Sequence, residues 1–190
     1  MTTNSTINAG DALRRLLRER SVKIGRFTLS SGRESTYYID ARATTMSAQG
    51  LALIGHLGLG AIRDAGWEGS AVGGLTLGAD PVSYAIALAS HESPPVIDAF
   101  TVRKEAKGHG RGRLIEGCFD PTTSVVVIED VITTGGSALR AVEAIRGEGG
   151  RVSGVLAVVD REEGGAQTIE ATGLSVRVLV RISELGITPR

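Results

Sequence analysis

Residues 125–137 read Val-Val-Val-Ile-Glu-Asp-Val-Ile-Thr-Thr-Gly-Gly-Ser, which sets two carboxylates, three hydroxyls and two glycines behind an apolar run. The run Val125 to Ile128 is β-branched throughout, as expected of a strand covered on both faces of a parallel sheet. In such sheets ligands bind beyond the carboxyl ends of the strands. Glycines let backbone N–H groups approach a phosphate, hydroxyls add donors, and a helix N-terminus adds positive potential. Glu129 and Asp130 would repel that phosphate, so they suit neutral hydroxyls instead. A phosphate at one end and a diol at the other describe a ribose 5-phosphate. The alternative is a turn whose polar residues merely cap one another, but the pattern holds over about a dozen consecutive positions. No lysine follows the glycines, so this is not a Walker loop, and it is not a dinucleotide fingerprint.

A second constellation occupies residues 103–113, Arg-Lys-Glu-Ala-Lys-Gly-His-Gly-Arg-Gly-Arg, with five cationic side chains, one histidine and three glycines. It has no large apolar anchor, and it reads either as a solvated basic loop or as a lid that closes over an anion. A third runs Phe27-Thr-Leu-Ser-Ser-Gly-Arg-Glu-Ser-Thr-Tyr-Tyr-Ile-Asp40, which would otherwise be a hairpin with core tyrosines. The fourth is Val159-Asp160-Arg161. Arg161 there is either half of a structural salt bridge or a planar partner for a planar anion.

Together these stretches resemble the type I phosphoribosyltransferases. The residues Glu129, Asp130, Val131, Ile132, Thr133, Thr134, Gly135, Gly136 and Ser137 look like that family's PRPP signature (PRPP is 5-phospho-α-D-ribose 1-diphosphate), in the form carried by orotate phosphoribosyltransferases. Arg103, Lys104, Lys107 and His109 match the catalytic-loop pattern of the same enzymes, and the tyrosine motif resembles their N-terminal motif. The resemblance implies that residues 129–137 bind PRPP, with Asp130 also among the catalytic residues. It implies that Arg103, Lys104, Lys107 and His109 take the diphosphate, and that Arg103, Lys107 and His109 do so across a homodimer interface. It further implies that Thr133, Arg161 and Tyr38 hold orotate. Mg²⁺ is the implied cofactor, carried mainly by PRPP and water with no direct protein ligand. Two family lysines are missing, at Ser30 and at Gly78. The diphosphate should therefore depend more on the basic loop and on backbone amides around residues 73–81.

The elements needed to position these residues are legible as alternating patterns. Strands are predicted over 70–73, 96–102, 124–129, 152–159 and 175–181, with helices over 80–91 and 138–146, the latter with Ser137 as N-cap. That is an α/β, doubly wound, mainly parallel five-stranded sheet flanked by helices. Upstream, helices over 8–20 and 47–65 bracket short strands at 26–29 and 36–40. The expected division is an N-terminal hood over 1–69 and a core over 70–190 carrying the loop 103–113.

Composition removes other classes. Lysine plus arginine equals aspartate plus glutamate, 21 each, so no overall field points to nucleic acid or a membrane surface. The one cysteine, Cys118, excludes a disulfide framework and suits a reducing compartment. No apolar run nears the roughly 18 residues of a membrane span, and the first ten residues lack a signal-peptide pattern, so a cytoplasmic location is expected. Two rivals stay open: the same fold acting on a purine or uracil, and a PRPP-sensing regulator without activity. The even charge balance argues against the second.

Overall fold

In the computed structural model, residues 3–28, 34–105 and 114–189 are described, with side chains from residue 9 onward. Lys107, His109 and the rest of 106–113 lie outside the described residues, as do Ser30 and Arg33. The elements are α1 (Thr3–Arg20), β1 (Val22–Thr28), β2 (Glu34–Ile39), α2 (Arg42–Thr45), α3 (Ala48–Asp64), β3 (Ala71–Leu75), α4 (Ala79–Glu92) and β4 (Asp98–Val102). They continue with β5 (Ile115–Gly117), β6 (Ser124–Ile132), α5 (Gly136–Gly147), β7 (Arg151–Asp160), α6 (Gly165–Glu170), β8 (Val176–Arg181) and a closing 3₁₀ turn (Ile182–Leu185).

The main sheet has six strands in the order β5-β4-β3-β6-β7-β8. Five are parallel and correspond to the five predicted strands. The sixth, β5, is an addition to the expected count: it is three residues long and runs antiparallel to β4. Its brevity and the left-handed Gly117 at its end leave no periodic pattern to read. Val125 to Ile128 are fully buried, because helices cover both faces. One core joins α1, α3 and α4 to Val126, Ile128, Leu156 and Val158; the other joins α5 and α6 to Val125, Val127, Val155 and Ala157.

The hood is the antiparallel pair β1–β2. Alternation along β2 buries Ser35, Tyr37 and Ile39 and exposes Tyr38. Contact between Tyr37 and Arg161 ties this hairpin to the carboxyl end of β7.

Candidate active site

The strand order fixes where a ligand can sit. From β3 the chain crosses through α4 to β4 on one side, and from β6 it crosses through α5 to β7 on the other. Beyond the carboxyl ends of β3 and β6 the connections therefore diverge and leave a crevice. A cleft of 210 Å³ opens there. Its walls are Leu75, Thr76, Leu77 and Gly78 after β3, Glu129 and Asp130 on β6, Ser137 and Arg140 on α5, and Lys104 and Arg42.

The turn from β6 into α5 differs from the expected cap. Gly135, with φ of +83°, is the N-cap, and Ser137 lies inside the helix. A left-handed residue is needed because the chain reverses there, and a β-carbon on Gly135 would stand 2.8 Å from the Gly165 carbonyl. No side chain caps α5, so its first-turn N–H groups keep their capacity for an anion. Thr134 and Gly136 are exposed, and Thr133 and Ser137 are half-buried around this opening. Val131 and Ile132 carry the strand; Ile132 is buried and pairs with Asp160.

The two carboxylates behave differently. Asp130 accepts a hydrogen bond from the Val131 N–H at 2.9 Å. Glu129 is 7% exposed, and burial, followed by the charge of Asp130 and a hydrogen bond with it, pushes its carboxyl up to about 9. Arg140 opposes this weakly. Around neutral pH Glu129 is thus a neutral carboxyl able to donate, beside the acceptor oxygens of Asp130.

Of the loop cations, Lys104 borders the cleft with Glu129 and Asp130. Arg103 turns the other way and pairs with Glu116 of β5 at 3.1 Å. Its backbone N–H bonds the Leu114 carbonyl at 2.8 Å, which brings the two feet of residues 106–113 together. Arg42 and Arg140 add two cations that the sequence reading missed. Arg140 had a signal: it lies three residues after Ser137 on the same helix face. Arg42 had none, and it is held by Asp40 through contacts of 2.8 and 3.0 Å that keep the Asp40 carboxyl below the usual range.

Arg161 follows β7, and its N–H bonds the Ile132 carbonyl at 3.0 Å, next to Thr133. The residue is 8% exposed. Its guanidinium lies 5.0 Å from the centre of the Tyr37 ring and donates to the Tyr37 hydroxyl at 3.3 Å. It also faces Glu163 at 2.7 Å, paired by charge without an aligned hydrogen bond. Arg161 is thus paired with Glu163, as the salt-bridge alternative has it. Tyr38, the tyrosine expected at the base, points outward against Phe27 with ring centres 5.8 Å apart, and it is Tyr37 that meets Arg161.

His56 and His91 are exposed and lie outside the cleft, Cys118 is exposed, and Trp67 packs against the core with its indole N–H on Ser175. An apolar groove of 350 Å³ between α3 and α4, lined by Leu51, Tyr84 and Leu88 among others, shares no lining residue with the cleft.

No family model matches the chain. Individual proteins do. It is 51% identical over 177 residues to an orotate phosphoribosyltransferase of Mycobacterium tuberculosis, covering 92% of this chain and 95% of that one. It is 48% identical over 178 residues to that of Aquifex aeolicus, covering 92% and 96%. Among solved structures, the M. tuberculosis orotate phosphoribosyltransferase in complex with PRPP superposes with a TM-score of 0.80 at 45% identity, covering 94% of this chain and 99% of that one. Identity of this extent, over a chain whose switch-point cleft carries the Glu129–Asp130 pair and the uncapped start of α5, places it by descent: the chain belongs to the orotate phosphoribosyltransferase family.

Proposed function

We propose that this chain transfers the 5-phosphoribosyl group of PRPP to N1 of orotate, giving orotidine 5′-monophosphate and diphosphate in pyrimidine (UMP) biosynthesis. The observation that carries this reading is the carboxylate pair at the switch point, directly ahead of a helix start with no side-chain cap, in a chain about half identical to orotate phosphoribosyltransferases.

Thr133, Thr134, Gly135, Gly136 and Ser137 receive the 5-phosphate on first-turn amides and hydroxyls. Glu129 and Asp130 engage the ribose hydroxyls, the neutral carboxyl donating where the anion accepts. Lys104 faces the diphosphate from the cleft wall. Arg103, Lys107 and His109 join it from a second subunit of a homodimer, for which exposed Tyr84 and Leu88 offer an apolar face. As the C1′–oxygen bond breaks, negative charge builds on the leaving diphosphate, and these cations stabilise it in a site closed to water. Arg161, Thr133 and Tyr38, with Tyr37 behind the guanidinium, hold orotate, whose carboxylate competes with Glu163 for Arg161. Orotate N1 ionises readily, so no general base is required.

Among the described residues no group of three or more His, Cys, Asp or Glu stands together as a metal cage. The acidic pair at the cleft suits a Mg²⁺ that is carried mainly by PRPP and water, with no direct protein ligand. When bound, the ion neutralises charge on the diphosphate. Residues 1–69 and 70–190 work as one unit in this scheme, since Tyr37 of the hood backs Arg161 of the core. No helix among the described residues is long and apolar enough to cross a membrane, and a cytoplasmic setting suits the reaction. Steady-state assays with PRPP and orotate, adenine, xanthine or uracil test the reading; turnover of orotate alone is expected, and none with orotate refutes it.

A further inference from the structure

Asp80 stands in the first turn of α4 and is only 8% exposed. A carboxylate so placed is costly unless its oxygens are satisfied. Both are. Its Oδ2 accepts from the Thr76 hydroxyl at 2.6 Å, and its Oδ1 accepts from the Thr101 hydroxyl at 2.9 Å. The two threonines belong to different segments. Thr76 lies in the turn after β3 and lines the cleft. Thr101 is the penultimate residue of β4, two positions ahead of Arg103. A backbone bond from the Thr76 N–H to the Val102 carbonyl, 2.8 Å, runs alongside, and the Tyr84 hydroxyl meets Thr101 at 3.1 Å.

This arrangement bears on a gap in the site. Residues 76–78 carry no cation, and the Thr76 hydroxyl proton is held by Asp80, so the turn after β3 can offer only backbone amides to a bound anion. Amides bind an anion well only when their direction is fixed beforehand. Lys104, the loop cation that borders the same cleft, follows directly from the end of β4. One buried carboxylate spans both.

We propose that Asp80 is a positioning residue for the diphosphate half of PRPP: through Thr76 and Thr101 it fixes the turn after β3 and the root of the basic loop in the register that a diphosphate requires. It touches no substrate itself. This rests on the PRPP reading above and extends it to a residue outside the cleft.

The test measures PRPP·Mg binding by calorimetry, together with KM values for PRPP and orotate, in wild type, Asp80→Ala, Asp80→Asn and Thr76→Val. Asp80→Ala should weaken PRPP binding and raise its KM about tenfold, the loss of one well-formed charged hydrogen-bond pair, while the KM for orotate stays within about twofold. Asp80→Asn should recover most of the affinity, because an amide can accept from one hydroxyl and donate to the other. Thr76→Val, which keeps shape and loses one hydroxyl, should shift PRPP binding in the same direction. Equal weakening toward both substrates, or wild-type PRPP affinity in Asp80→Ala, overturns the proposal. Should Asp80→Ala fail to fold, Thr76→Val decides, and unchanged PRPP affinity there overturns it too. A wild type that binds PRPP but does not turn over orotate counts against the proposed function alone, since the calorimetric comparison still stands.

Discussion

Glu129 gives a stability prediction that can be worked through in numbers. Its carboxyl sits at 4.5 when free and is pushed up to about 9 in the fold by burial and by Asp130. Between those values the folded chain holds a proton that the unfolded chain has lost. Folding therefore takes up a proton, and stability falls as pH rises through this window. The slope is about 1.4 kcal/mol per pH unit, so at pH 7 the burden is about 3 kcal/mol, an upper figure since water entry into the cleft relieves part of it. Glu129→Gln is neutral at every pH and close in shape, so it removes the burden. Urea unfolding of the ligand-free protein should show the variant equal to wild type near pH 4.5 to 5 and increasingly more stable from pH 6 to pH 8, by more than about 1 kcal/mol at the top. Parallel stability curves for the two proteins would refute a neutral buried Glu129. In function the variant keeps a donor and an acceptor for the ribose hydroxyls, so near pH 7 its affinity for PRPP should stay close to that of wild type while its fold gains.

Two further substitutions probe the diphosphate side. Lys107→Ala should lower kcat by at least about a hundredfold while changing orotate affinity little, as expected of a cation that acts on the leaving group; unchanged turnover removes the lid role of residues 103–113. Gly78→Ala should raise the KM for PRPP with little effect on that for orotate, because a β-carbon at this position overlaps the Asp130 carboxylate and forces it to move; an unchanged KM would mean that the turn after β3 relaxes freely.

The sheet was readable where hydrophobic runs are long and continuous. Val125 to Ile128 and the run through Val159 announce buried strands because both faces are covered, and the glycines mark the ends. β5 and α6 escaped because three and six residues carry too few positions for a period. The N-cap of α5 was misassigned for a related reason: serine is the better capping side chain, but the turn needs a positive φ, and only glycine supplies it cheaply. The choice between Tyr37 and Tyr38 depends on the pleat of β2, which a short hairpin pattern does not fix. Arg42 reaches the cleft from a segment with no motif of its own, a convergence that only the strand order creates, whereas Arg140, Thr76 and Asp80 lie within or beside stretches already singled out.

That convergence explains how a chain with no net charge can take a polyanion. Lysines and arginines match aspartates and glutamates overall, 21 to 21, so attraction cannot come from a global field. It comes from sorting. Lys104, Arg42 and Arg140 stand around one cleft with the uncapped start of α5, and among the described residues its lining holds two acidic groups, one of them neutral near pH 7. Burial of Glu129 thus has an electrostatic consequence as well as a cost: it removes one negative charge from the approach of a phosphate while leaving a hydrogen-bonding group for the sugar. The same burial makes the site sensitive to alkali. As pH climbs toward 9 Glu129 regains its charge beside Asp130, and PRPP affinity should decline through that range in wild type but stay flatter in Glu129→Gln, a difference that titration of PRPP·Mg binding from pH 7 to pH 9.5 would register.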